Sequence, residues 1–298
     1  PMAMGPQAYH IIRSSRISIF LMDSDQSFRD CETTSKEDIT RWAEDFPALV
    51  TEPISLEGSQ FRCGGSKEYL DWLEGVLQLK DSPEEPVSWR NSEESPAGKM
   101  KFEIVNDPLA LEEALRPHGG CGASVRLLAA YGREWTTKGI SEPHELPPEE
   151  QDFNIVYERG GEEKLWHKIW NYAPRSDYTY FIQAPEGTKM HEDAVCEVGC
   201  PYTVRGFDYD YIGLLWLKDL VWRDGEWEFN LDHIHESALR MTLAAVRREK
   251  GEMGPASREL LLRLKQIYRI LLSRAIYGVY VWFEDEETRA YVESLLPQ

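Results

Sequence analysis

The 298-residue sequence is short of cysteine, of positive charge and of long apolar runs, and each shortage removes a class of protein. Its five cysteines (Cys31, Cys63, Cys121, Cys196, Cys200) are odd in number and scattered. A chain of this size can build its own core, so reduced thiols are expected rather than a disulfide framework. No stretch approaches the roughly 18 uninterrupted apolar residues of a spanning helix. Arg13 and Arg16 break the apolar character of the N-terminal segment, which ends in no small-residue cleavage site. The expectation is an intracellular protein, cytoplasmic or nuclear, with no membrane partner. Lys and Arg number 33 against 52 acids, a formal charge of -19. That excludes a broad basic stripe for sequence-independent nucleic-acid binding, although a local groove between two lobes can still grip a single strand. The loop G-x-x-x-x-G-K-[ST] that cradles nucleotide phosphates occurs nowhere, and neither Gly64-Gly65 nor Gly119-Gly120 is followed by Lys-Ser/Thr at a helix start.

What is present is ample material for a core: 42% hydrophobic residues, with 10 Trp, 14 Tyr and 10 Phe. Residues 16–23 (RISIFLMD) form a β-branched and aromatic run ending in acid, the pattern of a buried parallel strand. Helices are predicted over 35–45 and 66–79, opened by Ser35 and Ser66 as N-caps. A strand at 101–105, a helix at 107–116, a turn at 118–123 and strands at 125–131 and 153–157 follow, with 80–98 and 136–152 as surface loops. The apolar run 211–217, helices at 236–249 and 257–274, a strand at 278–283 and a closing helix at 285–295 complete the chain. Strands alternating with helices predict an α/β fold with a parallel sheet flanked by helices.

Four short segments stand out, in order: FLMDSDQ with Asp23 and Gln26; SQFRCGG with Arg62; Thr203-Val-Arg-Gly-Phe-Asp208; and Tyr268-Arg-Ile-Leu-Leu-Ser-Arg-Ala275. Taken singly, each has a plain structural reading: a solvated acidic turn, an arginine paired with one of many carboxylates, a loop before a strand, an amphipathic helix. Together, and with DYIGLLWLKDLVWRDGEW between the last two, they resemble the superfamily 1 helicase-like ATPases, in the Schlafen-related branch of DNA/RNA helicase-like proteins. The resemblance implies a RecA-like sheet of the P-loop NTPase type and places the segments as motifs III, IV, V and VI. Gln26 would then sense the γ-phosphate, Arg62 would face nucleotide, and Arg274 would be the arginine finger, with Arg269 a second candidate. A permanently charged, forked guanidinium suits phosphate oxygens. Asp208 would order the nucleotide side, while Thr203, Arg205 and Gly206 would touch the nucleic-acid strand. Three positions depart from the family pattern: Arg205 stands for the usual glutamine, Asp208 for glutamate and Ser273 for threonine.

On the family map the phosphate-gripping loop and the Mg²⁺-holding Asp-Glu strand are missing. Residues 1–50 are therefore expected to be a remnant of a first ATPase lobe that includes motif III, and 51–298 the second RecA-like lobe with loop insertions. ATP and Mg²⁺ are expected only together with a complete first lobe, and the isolated chain is expected to be inactive. Its expected partners are single-stranded DNA or RNA and that first lobe. The rival expectation is a non-catalytic protein-interaction module derived from a helicase lobe, which the charge of -19 favours. His191, Cys196 and Cys200 offer three metal donors at unorthodox spacing, so no metal is expected there. His233 and His235 look like a surface pair, Glu149 to Asp152 like a solvated loop, and Trp166, Trp170, Trp216, Trp222 and Trp227 like core.

Overall fold

The computed structural model describes residues 6–22, 29–30, 34–54, 63–80, 89–90, 100–174, 177–204, 206–251 and 253–297. Its first elements are two short helices, α1 (Gln7–Ser14) and α2 (Lys36–Glu44). Ser35 and Asp38 close a reciprocal capping box at the start of α2. Ser66 caps α3 (Lys67–Val76) by accepting from the Tyr69 amide at 3.1 Å. The chain then forms β1 (Lys101–Ile104), α4 (Pro108–Gly120), β2 (Val125–Ala129), β3 (Phe153–Arg159) and β4 (Glu162–Trp170). After α5 (Thr179–Gln183), α6 (Lys189–Glu192), β5 (Glu197–Gly199) and α7 (Pro201–Val204) come β6 (Tyr209–Trp216), β7 (Leu220–Arg223) and β8 (Glu226–Phe229). The chain ends with α8 (Arg240–Arg248), α9 (Pro255–Leu272), β9 (Ala275–Phe283) and α10 (Glu286–Ser294).

Seven strands form one sheet in the order β1-β9-β6-β2-β5-β4-β3, parallel throughout except for β3, which pairs antiparallel with β4. The near-continuous apolar character of β2, β6 and β9 follows from burial on both faces. Alternate residues divide between two core layers. Ile212, Leu214, Val279 and Val281 meet the α9 side, where Leu264, Ile267 and Leu271 lie. On the other face α4 lays Leu111 and Leu115 over Val125, Leu127 and Leu215. The close approach of α4 requires glycine in β6: a Cβ on Gly213 would stand 2.9 Å from Leu115 Cδ1 and from Leu127 Cδ2. This is the expected helix-flanked parallel α/β sheet.

Several expectations are corrected. Residues 16–22 are not a buried strand; they are irregular and pair with no strand among the described residues, and Ile17, Ile19 and Leu21 are 83%, 84% and 86% exposed. The turn expected from 118 begins later, because α4 runs to Gly120. Asp152 is not a solvated acid: it is buried, and its carboxylate accepts from Thr136 Oγ1, Thr137 N, Thr137 Oγ1 and Trp170 N, fastening the 136–152 loop to β4. Two hairpins, β3–β4 and β7–β8, escape the sequence reading although each carries a turn signal. Gly160-Gly161 and Asp224-Gly225 both adopt positive φ, as tight hairpin turns require. Trp166, Trp170, Trp216 and Trp227 are core, as expected, and Trp222 stacks on Tyr291 with ring centroids 3.5 Å apart.

α1 and α2 pack on each other through Tyr9, Trp42 and Phe46. Asp30 fastens the N-terminal region to the main body: its carboxylate accepts from Met241 N, Thr242 N and Thr242 Oγ1 at the start of α8 and pairs with Arg263 of α9 at 2.6 Å.

Candidate functional site

Two of the sequence-predicted residues, Asp208 and Arg274, meet at the N-terminal ends of the adjacent parallel strands β6 and β9. Asp208 directly precedes β6 and Arg274 directly precedes β9, and the Tyr209 amide donates to the Arg274 carbonyl at 3.0 Å. Arg274 Nη1 lies 3.8 Å from Asp208 Oδ1, an ion pair too long for a direct hydrogen bond. Arg274 is 1% exposed, whereas Asp208 is a third exposed at the rim. The turn Cys63-Gly64-Gly65 reaches the same end of the sheet. Cys63 Sγ donates to the Ser273 carbonyl at 3.7 Å, and Tyr69 OH to the Leu272 carbonyl at 3.0 Å. All three turn residues have positive φ, so the glycines serve the left-handed path that brings the turn against residues 272–273. Arg62, Asp23, Gln26 and Arg205 lie outside the described residues.

The segment from α7 to β6 folds tightly. Thr203 is fully buried and its hydroxyl donates to the Cys200 carbonyl at 2.7 Å, so in this arrangement it orders the turn and does not face outward. Tyr209 OH donates to the Thr203 carbonyl at 3.1 Å. Gly206, at φ 84°, has open space where a Cβ would be, and the next residue, Phe207, is exposed. Arg269 is not brought to Arg274's carboxylate. Its Nε binds Glu74 Oε1 at 2.6 Å, and Lys80 holds the other oxygen at 2.6 Å. Burial alone would raise the Glu74 carboxyl, but the bonds from Lys80 and Arg269 outweigh it and hold it below the usual range. Arg269 therefore joins α9 to α3.

Sequence reasoning missed Arg126, the second residue of β2. Its buried guanidinium donates to the carbonyls of Phe181, Val125 and Ile182 and sits 5.2 Å over the Tyr209 ring. Burial pushes its pKa down, with no carboxylate in hydrogen-bond contact among the described residues to restore it. The available signal was a single arginine inside the apolar run VRLLAAY. At the opposite end of the sheet, Tyr268 of α9 donates to Asp219 Oδ1 at 2.6 Å, and burial raises the Asp219 carboxyl to about 7. The segment 268–275 thus carries both Tyr268, bonded to Asp219, and Arg274, beside Asp208.

His191, Cys196 and Cys200 do not converge: His191 Nδ1 bonds the Ala184 carbonyl at 3.2 Å and Cys200 is buried, while Cys196 groups with His144 and Glu197 instead. No helix among the described residues is long and apolar enough to cross a membrane.

A mostly parallel sheet covered by helices on both faces is consistent with a RecA-like fold. The family model of the Schlafen group 3 DNA/RNA helicase domain matches residues 3–285, and the chain belongs to that family. No curated protein and no solved structure matches it.

Proposed function

We propose that this helicase-like domain works as the second RecA-like lobe of a nucleic-acid-dependent ATPase, presenting Arg274 to a nucleotide gripped by another lobe. The observation that carries the reading is the Asp208–Arg274 pair at the entrance of two adjacent parallel strands. Asp208 lies 3.8 Å from the guanidinium and sets a carboxylate beside it at the rim. A polyphosphate arriving at the rim is a stronger anion and competes for the same donors. Arg274 then stabilises charge on the transferring phosphoryl group as an arginine finger. Arg62, next in chain to the Cys63 that binds Ser273, is the second nucleotide-facing candidate, with Gln26 as γ-phosphate sensor. Gly206 and Arg205 contact the nucleic-acid strand, and Thr203 acts by bonding the Cys200 carbonyl just before them in the chain.

Mg²⁺ does not fit this edge. The ion keeps near-octahedral oxygen ligation, whereas Asp208 faces Arg274 and Asp210 accepts from Ser124 N and Oγ. ATP and Mg²⁺ accordingly belong to the lobe that carries the phosphate-gripping loop. The uncovered Ile17, Ile19 and Leu21 support such a lobe, because alternating apolar side chains of this kind call for a covering surface.

A single-stranded oligonucleotide titrated at low and moderate salt tests the reading. Binding that weakens with salt and is lost on Arg205→Ala is expected. The charge of -19 favours a second reading, a protein-interaction module derived from a helicase lobe. Absence of oligonucleotide binding at low salt would select it.

A further inference from the structure

Far along the chain from Arg274, three side chains of different chemistry converge beside β5. His144 Nε2, Cys196 Sγ and Glu197 Oε lie within 4.8 Å of one another. Glu197 is 2% exposed, its Oε1 lies 2.8 Å from His144 Nε2, and its Oε2 accepts from the Tyr172 amide at 2.7 Å. That amide orients the carboxylate from behind, as an outer partner of a metal ligand does. The Cys196 thiol donates to Met190 Sδ at 3.5 Å, so a soft thioether borders the group. Lys168, a nearby cation, is drawn away by Glu112 at 2.9 Å. Pro143, next in chain to His144, and Tyr172, whose amide bonds Glu197, also line a recess of about 230 Å³.

We propose that His144, Cys196 and Glu197 form a binding site for a zinc-class divalent metal ion that staples the 130–152 connection to β5. One nitrogen, one thiolate and one carboxylate are the donors such ions take, at about 2.0–2.3 Å. A tetrahedral site of those bond lengths spaces its donors about 3.3–3.7 Å apart, so the cluster closes with changes in separation of about 1.5 Å or less. On binding, the thiol loses its proton to solvent and Nε2 gives up the proton it shares with Glu197, leaving a neutral imidazole protonated on Nδ1 with the Nε2 lone pair free for the metal. The 3-10 turn carrying His144 would then be tied to the sheet by a metal as well as by the Asp152 network.

The test uses the full chain, stripped with a chelator and titrated with Zn²⁺ and, separately, Co²⁺. One equivalent is expected, with a thiolate-to-cobalt charge-transfer band, and amide exchange over 140–151 should slow. Cys196→Ser should abolish the band. His144→Gln, a change in a surface loop that leaves the sheet intact, should weaken zinc binding at least about tenfold. Cys200→Ser should change neither. Failure of the wild type to bind one equivalent would overturn the proposal, and so would a charge-transfer band that survives Cys196→Ser, or zinc binding unmoved by His144→Gln, either of which means an adventitious ion only. None of these readouts depends on nucleotide or oligonucleotide, so the metal site and the helicase reading stand or fall separately.

Discussion

Residues 16–23 (RISIFLMD) and 210–219 (DYIGLLWLKD) are similar in sequence, each an apolar run that closes on an aspartate, yet they meet opposite fates. The second is strand β6 with its closing loop, hydrogen-bonded on both sides by β2 and β9 and buried between α4 and α9. The first, over residues 16–22, pairs with no strand among the described residues and shows Ile17, Ile19 and Leu21 to solvent. Local pattern therefore marks the capacity to be a strand, whereas a neighbour with free amides and an apolar face decides whether the strand forms. In the proposed function, that neighbour for 16–23 is the sheet of another lobe.

The comparison can be broken most forcefully in β6. Gly213→Val drives a side chain into Leu115 and Leu127 and should cost about 3 kcal/mol, read by urea denaturation. The acid that ends this run offers a second handle. Because burial raises the Asp219 carboxyl to about 7, the folded chain binds this proton more tightly than the unfolded one. Its contribution to stability therefore declines as pH rises from about 4 to about 7 and is flat above, with a slope of at most about 1.4 kcal/mol per pH unit. Denaturation midpoints of wild type and Asp219→Asn between pH 5 and 8 should converge or cross as pH increases; parallel curves would show that Asp219 does not titrate there.

A smaller effect is expected at the tether. Asp30→Ala removes the cap on α8 and the bond to Arg263, and should cost about 1–2 kcal/mol. Amide exchange should rise over α1 and α2 while β6 and β9 stay protected. Smallest of all, Ile19→Ser in the exposed run should stay within about 0.5 kcal/mol. A loss of 2 kcal/mol or more there, on the scale of a buried side chain, would mean that the run is covered in solution.

How much was legible in the sequence follows the same physics. β2, β6 and β9 announced themselves because strands buried on both faces are apolar throughout, and α2 and α3 because Ser35 and Ser66 are caps. The hairpin β3–β4 did not, since one of its faces is wet and its β4 half, EEKLWHKIW, carries charge into a strand. At the site, the resemblance paired Arg62 with Arg274 at one nucleotide; Arg62 lies outside the described residues, and the ends of β6 and β9 set Arg274 3.8 Å from Asp208. The burial of Thr203 and Arg274, the commitment of Arg269 to Glu74 and the presence of Arg126 were not legible. They depend on which carbonyl or carboxylate the fold carries to each side chain, and no local pattern encodes that.

The central claim is that Arg274 completes a nucleotide site whose phosphate-gripping half lies on another lobe. Oligonucleotide-stimulated ATP turnover, measured for this chain alone and again with a lobe bearing G-x-x-x-x-G-K-[ST], tests it most directly. No turnover by the chain alone is expected, and turnover with the partner lobe should fall about 10³-fold or more on Arg274→Ala. Hydrolysis by the chain alone at about 1–100 s⁻¹, or a two-lobe rate indifferent to Arg274→Ala, would contradict it.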